Sequence, residues 1–128
     1  MLQYNSYCLL IFMAQPNVLA IIQARGGSKG LPNKNLLPLA GHPLVAYSVK
    51  AALETPSITR TIISTDSQAI ANAAQKYGAE VPFIRPAEFA QELSTDFDVF
   101  THALNWLWEN EGYRPDLVVQ LRPTSPVR

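Results

Sequence analysis

The sequence predicts an α/β domain built on a mostly parallel sheet with flanking helices. Three short runs, Val18–Gln23, Thr61–Thr65 and Leu117–Leu121, are typical of strands, and the first barely alternates, as in strands buried on both faces. Ala79–Ile84 predicts a further, brief extended segment. Between these runs apolar residues recur at helical spacing, so strands and helices alternate along the chain. This alternation indicates parallel βαβ units with right-handed crossovers.

Three helices are predicted between the strands. The first follows Pro43, which suits the first turn of a helix. The second runs through Ile70 to Tyr77, and Gly78 has the place that glycine takes just past a helix end. The third begins at a cap on Thr95 or Asp96. Its inner side is predicted to carry the apolar residues Val99, Phe100, Ala103, Leu104, Leu107 and Trp108.

Length, composition and charge narrow the classes of protein to consider. With 128 residues the chain is one domain or part of one, and a hydrophobic content of 48% supports a packed core. The formal net charge of +0 gives no support to a general binder of nucleic acids or membrane surfaces. Cys8 is the only cysteine of the sequence, which rules out an intrachain disulfide and a cysteine-based metal site. The cytoplasm is therefore the expected compartment.

Residues 1–17 are interpreted as an N-terminal extension, and residues 18–128 as the domain. The apolar run Tyr7–Ala14 is too short to span a bilayer. No Lys or Arg precedes this run, so it lacks the basic region of a signal peptide. Met13 offers an alternative start, in which case the extension is an artefact of start-site choice.

The loop after the first strand is the predicted functional centre. It combines three glycines with three cations: Arg25, Gly26, Gly27, Lys29, Gly30 and Lys34. Glycines let backbone N–H groups approach an anion closely, and the cations add charge, so the pattern favours a phosphate-binding loop over a solvated turn. The order of Ser28-Lys29-Gly30 does not fit a P-loop, and the glycine spacing does not fit the dinucleotide fingerprint.

This loop resembles a known family. Ala24 to Gly30, followed by Pro32, Lys34 and Asn35, is similar to the N-terminal motif of the acylneuraminate cytidylyltransferases (CMP-sialic acid synthetases). The resemblance implies a Rossmann-like sheet of the nucleotide-diphospho-sugar transferase type, here truncated. It implies transfer of CMP from CTP to a nonulosonic acid, with release of pyrophosphate. It also implies a homodimer at full length, and Mg²⁺ with ligands beyond residue 128, so no metal ligand is predicted within the chain.

The resemblance also implies roles for individual residues. Arg25 and Lys34 are implied to be catalytic, by stabilising charge on the reacting phosphates. Contacts to the triphosphate and nucleotide are implied for Ala24, Gly26, Gly27, Ser28, Lys29 and Asn35. Arg85, of the pair Arg85-Pro86, is implied to lie at the base, and Ser94 or Thr95 at the ribose. Substrate contacts are implied for Arg122, Thr124 and Ser125.

Several alternatives stay open at this point. Arg85 is alternatively a surface arginine in a loop. Asp66 is expected to cap a helix or support the fold rather than to catalyse. Arg122 stands where the sialic acid enzymes commonly carry Gln, and it suits a sugar carboxylate, a different nonulosonic acid or another activated sugar. His42 and His102 are expected to be structural.

Two other functions are compatible with the pattern. The chain is alternatively a non-catalytic nucleotide-binding fragment, or a nucleotidyltransferase for a different sugar or base. The turns at Arg25, Asp66 and Arg122 each follow a strand, so they are expected at the same edge of the sheet. Any of these functions would use that edge.

Overall fold

Alternating strands and helices form the α/β architecture that the sequence predicts. The structure, a computed structural model, describes residues 16–26, 34–86 and 96–123. A single turn of 3₁₀ helix lies at Lys34–Leu36. The other elements, in chain order, are β1 (Val18–Gln23), β2 (Pro38–Leu39), β3 (His42–Pro43), α1 (Leu44–Leu53), β4 (Arg60–Ser64), α2 (Gln68–Lys76), α3 (Asp96–Glu111) and β5 (Leu117–Leu121).

The main sheet is parallel, with β1 in the centre and the order β4–β1–β5. The registers align Ile22 of β1 with Ile63 of β4 and with Leu121 of β5. The predicted extended segment adds one parallel bridge at the outer edge of β4, where Glu80 pairs with Ile62. A small antiparallel hairpin of β2 and β3 leads into α1. The predicted mostly parallel sheet is confirmed.

Two apolar clusters cover the two faces of β1. On one face, Ile22 packs with residues of α1, β4 and α2, among them Val49 and Ile70. On the other face, Leu19 and Ile21 pack with residues of β4 and α3, among them Leu107. Because β1 is covered on both sides, its apolar run has no polar alternation until its last residue.

The third helix agrees with its prediction except at one residue. Val99, Ala103 and Leu107 are buried at a spacing of four, which is the inner face of α3. Trp108 was predicted on that face, but it is 53% exposed. One residue advances a helix by about 100°, so Trp108 points away from the line of Leu107. It lies instead under the guanidinium of Arg114, 4.6 Å from the ring centroid.

The second helix ends at the predicted glycine. Gly78 follows α2 with φ of +111°, a conformation that favours glycine. A Cβ at this position would also lie 2.8 Å from Cδ1 of Leu53. Among the described residues, no helix combines the length and apolarity that crossing a membrane requires.

Candidate functional site

The carboxyl ends of β1, β4 and β5 meet at one edge of the sheet. Because the three strands are parallel, the turns that begin at Ala24, Thr65 and Arg122 leave the sheet on the same side. Ligands of open α/β sheets bind at this edge. The grouping that the sequence predicted for these turns is therefore confirmed.

Gly26 and Asp66 connect the first two turns. The backbone N–H of Gly26 donates to Oδ1 of Asp66 at 2.8 Å. A Cβ at Gly26 would lie 2.9 Å from Cβ of Ser67, so the close approach of the turns requires glycine here. Of the two structural roles expected for Asp66, capping is wrong. The N-cap of α2 is Ser67, whose Oγ accepts the N–H of Ile70 at 3.2 Å.

Asn35 holds the end of the glycine loop next to its beginning. Its side chain is buried, and Nδ2 donates to the backbone oxygen of Arg25 at 3.0 Å. Lys34, beside it, begins the 3₁₀ turn and is half-buried. The predicted contacts Gly27, Ser28 and Lys29 lie outside the described residues. The structure thus places both ends of the predicted phosphate loop side by side.

Arg85 is a buried residue of this edge. It is 2% exposed, so the alternative of a surface arginine is wrong. Its N–H donates to the carbonyl of Thr65 at 2.7 Å, and Nη1 donates to Oγ of Ser64 at 3.4 Å. Its Nε has no hydrogen-bond partner among the described residues. A buried guanidinium with an unused donor is costly, and a polar ligand would relieve that cost.

Charges from two neighbours act on Arg85. Burial lowers the pKa of the guanidinium below its ordinary value, attraction by Asp66 opposes this, and repulsion by Arg25 adds to it. The cation predicted to meet the phosphates and the cation predicted to meet the base are therefore close enough to repel each other, and Asp66 is close enough to attract Arg85. An anionic ligand at this place would reduce the repulsion between the two arginines.

The end of β5 carries a separate polar network. Nε2 of Gln120 donates to Oε1 of Gln23 at 3.0 Å, and Arg122 donates to the carboxylate of Asp96. Hydrogen bonds from Gln120 above all, then from Arg122 and Gln23, lower the pKa of Asp96. Arg122 was predicted to meet the sugar, and in this structure it is paired with a carboxylate. The remaining predicted contacts, Ser94, Thr124 and Ser125, lie outside the described residues, as does Thr95.

Sequence reasoning missed most of this network. The sequence analysis includes Gln23 and Gln120 only as positions within two predicted strands, and Asp96 only as one of two possible helix caps. The available signal was a glutamine near the carboxyl end of each strand, since a polar side chain in a buried strand needs a partner. Their pairing depends on the parallel register of β1 and β5, in which Gln120 lies beside Ile21.

The histidines and one sizeable cavity lie away from the strand-end turns. Nδ1 of His42 is hydrogen-bonded to the hydroxyl of Tyr77 at 2.9 Å, and His102 packs edge-on against Phe83 at 4.8 Å. Both contacts agree with structural roles.

A cavity of about 360 Å³ is lined by His42, Ala46, Tyr47, Lys50, Leu53, Glu54 and Tyr77, none of which belongs to the strand-end turns. Within the described part of the chain, no group of three or more His, Cys, Asp or Glu is placed to hold a metal ion.

The known proteins that this chain resembles are cytidylyltransferases and a CMP-sugar synthase. The family model described as "Cytidylyltransferase" matches residues 19–126. An N-acylneuraminate cytidylyltransferase of Escherichia coli is 40% identical over 111 residues, which cover 87% of this chain and 25% of that protein. A CMP-N,N'-diacetyllegionaminic acid synthase of Legionella pneumophila is 42% identical over 113 residues, covering 87% and 47%. A pseudaminic acid cytidylyltransferase of Campylobacter jejuni is 36% identical over 110 residues, covering 85% and 47%.

A solved structure shares the fold. CMP:2-keto-3-deoxy-manno-octonic acid synthetase, solved in complex with CTP, superposes with a TM-score of 0.71 over 88% of this chain and 42% of that chain. Its sequence identity of 22% makes it a comparison of fold alone. The Rossmann-like sheet of the nucleotide-sugar transferase type is thereby confirmed. The chain spans a quarter to about half of the length of these curated relatives. On the family match over residues 19–126, the chain belongs to the cytidylyltransferase family.

Proposed function

We propose that this protein transfers CMP from CTP to a nonulosonic, sialic-type acid and releases pyrophosphate. The three relatives named above carry the names of enzymes for such acids, with identities of 40%, 42% and 36%. The observation that carries the proposal is the position of Arg85. Its buried guanidinium, with Nε unpaired among the described residues, lies at the strand ends beside the entry of the glycine loop.

The residues divide between the two ends of CTP. Arg25 and Lys34 flank the glycine loop and are assigned to the triphosphate, together with Ala24, Gly26, Gly27, Ser28, Lys29 and Asn35. Arg85 and Ser94 are assigned to the cytidine. Cations next to the α-phosphate would stabilise the charge that develops there and on the departing pyrophosphate. Arg25 and Lys34 are the proposed catalytic residues for this reason.

The acidic sugar is assigned to the end of β5, with Arg122, Thr124 and Ser125 as its contacts. A hydroxyl oxygen of the sugar attacks the α-phosphorus in line with the leaving group. A new P–O bond forms, the bond from the α-phosphorus to the bridging oxygen breaks, and the hydroxyl proton passes to solvent or base. Holding both substrates at one sheet edge lowers the entropic part of the barrier.

Mg²⁺ is proposed to accompany the triphosphate, where a divalent ion would neutralise phosphate charge. The described residues do not supply a set of carboxylates for it, and Asp66 already accepts the N–H of Gly26. We therefore assign no metal ligand and no reaction step to this ion.

The remaining proposals concern the setting of the enzyme. Residues 18–128 are inferred to be the N-terminal part of the catalytic domain, preceded by an extension of residues 1–17, and the family match over 19–126 supports this division. We also propose a cytoplasmic homodimer that contacts neither nucleic acid nor membrane. The formal net charge of +0 supports the last two points.

Product analysis tests the proposal. The protein expressed from its complete reading frame is incubated with CTP, Mg²⁺ and a panel of nonulosonic acids, with ATP and UTP in parallel. We expect a CMP-sugar and pyrophosphate in equal amounts from CTP and at least one acid. Arg85→Met should lose most of this activity while remaining folded, because methionine has a long side chain and removes a buried donor that has no partner among the described residues. Arg114→Met is the matched control, since Arg114 lies on Trp108 at the protein surface.

Two results would contradict the proposal. If CTP binds but no acid yields a CMP-sugar, the protein is a nucleotide-binding module rather than a transferase. If products form equally well from ATP or UTP, the cytidine assignment of Arg85 fails.

A further inference from the structure

Asp66 contacts the entry of the glycine loop and lies next to the buried arginine of the same site. We propose that Asp66 is a positioning residue that holds the entry of the glycine loop and the Arg85 guanidinium in one fixed relation. The contacts for the triphosphate and for the base would then be kept at the spacing that CTP requires. This inference rests on the proposed function, because it concerns the same nucleotide site.

The contact on the loop side is direct. Oδ1 of Asp66 accepts the N–H of Gly26 at 2.8 Å, so this N–H is already paired within the protein. A Cβ at Gly26 would lie 2.9 Å from Cβ of Ser67 and 3.4 Å from Oδ1 of Asp66, so the two turns are packed as closely as they can be. The position of Asp66 thus determines where the glycine loop leaves β1.

The turn that carries Asp66 is held on both sides. Thr65 is fully buried, and its Oγ1 accepts the N–H of Ser67 at 3.1 Å. Ser67 in turn caps α2 by accepting the N–H of Ile70 at 3.2 Å. A carboxylate presented from so constrained a turn has little conformational freedom to lose, which is the requirement for positioning another group precisely.

The same turn also holds Arg85. The N–H of Arg85 donates to the carbonyl of Thr65 at 2.7 Å, next to Asp66 in the chain. Asp66 supplies the negative charge that opposes the burial of the Arg85 guanidinium and its repulsion by Arg25. One carboxylate therefore serves the backbone of the phosphate loop and the charge balance of the base-side arginine.

Electrostatics and positioning predict opposite effects for Asp66→Asn. The change removes a negative charge beside a site for an anion, so charge alone would tighten the binding of CTP. Loss of positioning would weaken it, because the bond from Gly26 loses its charge assistance and Arg85 loses its counter-charge. The sign of the change in affinity therefore separates the two explanations.

The test uses the protein expressed from its complete reading frame. We expect Asp66→Asn to raise the Kd and the KM for CTP about tenfold, with kcat changed less than about twofold, as the replacement of a charge-assisted bond by a neutral one predicts. Asp116→Asn is the matched control. It alters the same type of bond at the opposite end of β1, where Oδ2 of Asp116 accepts the N–H of Asn17 at 2.7 Å. Its Kd for CTP should equal that of the wild type.

A double-mutant cycle with Arg85→Met provides the second measurement. If Asp66 acts through Arg85, the two losses of CTP affinity should be less than additive, whereas independent sites would add. Melting temperatures of all variants separate loss of binding from loss of fold. Asp66→Asn keeps the size of the side chain, so it remains informative where Asp66→Ala does not fold.

The outcomes distinguish this inference from the proposed function. Wild-type turnover with CTP, combined with unchanged or tighter binding in Asp66→Asn, would overturn the positioning role alone. An equal loss in Asp116→Asn would do the same, because it would show a general effect on stability. Failure of the wild type to bind CTP would overturn the proposed function and this inference with it.

Discussion

The carboxylate of Asp96 accepts a hydrogen bond from the guanidinium of Arg122, which joins the first turn of α3 to the end of β5. The glutamines at the ends of β1 and β5 complete the network around this carboxylate. The arginine assigned to the sugar is therefore held in place by the protein before any substrate arrives. A substrate carboxylate at this place would share or replace Asp96 as its partner.

Arg122→Gln should change the choice of sugar acid and leave CTP binding intact. Glutamine offers a neutral amide where arginine offers a charged, bidentate partner, so the KM for the preferred acid should rise about tenfold. The KM for CTP should stay within about twofold, because Arg122 lies at β5 and not at the glycine loop. Steady-state kinetics with each substrate varied checks this, and Arg114→Gln is the control. An unchanged KM for every acid would remove Arg122 from the substrate site.

The lowered pKa of Asp96 predicts a pH-dependent contribution to stability. A carboxyl with a lower pKa in the folded state stabilises the protein above its unfolded pKa, near the ordinary value of 3.8, and this stabilisation is lost as the pH falls through the folded pKa. Asp96→Asn should therefore lower the melting temperature near neutral pH, and the difference from wild type should shrink in acid.

Glu109→Gln is the control for that experiment, because it removes a carboxylate from an exposed position of the same helix. Thermal melts across the acid range give the two differences. If the effect of Asp96→Asn does not depend on pH, the hydrogen bonds around its carboxylate do not stabilise the ionised form.

Lys34→Ala should reduce turnover without unfolding the protein. Lys34 is half-buried at the return of the glycine loop, and a cation placed there would stabilise charge on the phosphates. We expect a loss of about a hundredfold in kcat/KM, the size seen when one electrostatic contact to a transition state is removed. Lys76→Ala, at the exposed end of α2, should keep full activity. Equal activity of the two variants would show that Lys34 is a surface lysine.

CTP should protect the protein against heat more strongly than ATP does. At equal concentration, a ligand that binds only the folded state raises the melting temperature more the lower its Kd, and Arg85 is assigned to the cytosine base. Arg85→Met should abolish the difference between the two nucleotides while keeping some protection by either, through the phosphate contacts. Equal protection of the wild type by ATP and CTP would leave a phosphate site without base selectivity.

Core substitutions in α3 test its orientation. Leu107 is fully buried against the sheet, so Leu107→Ala should lower the free energy of unfolding by about 2–5 kcal/mol. Trp108 is 53% exposed, so Trp108→Ala should cost less, through lost packing on Arg114. Denaturant unfolding of both variants measures the difference. A larger loss at Trp108 would show that the buried face of α3 includes Trp108, as the apolar spacing predicts.

Local sequence was sufficient to predict the strands and the edge of the sheet at which the candidate site lies. The run Val18–Gln23 is apolar throughout because β1 is covered on both faces, and that pattern is visible without a structure. The end of α2 was equally visible, because Gly78 alone suits its φ of +111°. The exposure of Trp108 was not predictable in this way, since an apolar residue at the margin of a helical face can lie on the buried or the exposed side of the helix.

The sequence by itself determined the class of the fold, the order of its elements and the position of the glycine loop, because all of these depend on neighbours within one or two turns of the chain. Only the tertiary structure decided what Asp66 and Arg85 contact. Asp66 had a local use as a helix cap, but Ser67 takes that role and the carboxylate accepts the N–H of Gly26, 40 residues away. From sequence, Arg85 was compatible with a surface loop as well as with the base site. In the structure it is buried, and its backbone N–H is bonded to the carbonyl of Thr65 beyond the end of β4. Such contacts are set by how the strands align, and no local propensity encodes that alignment.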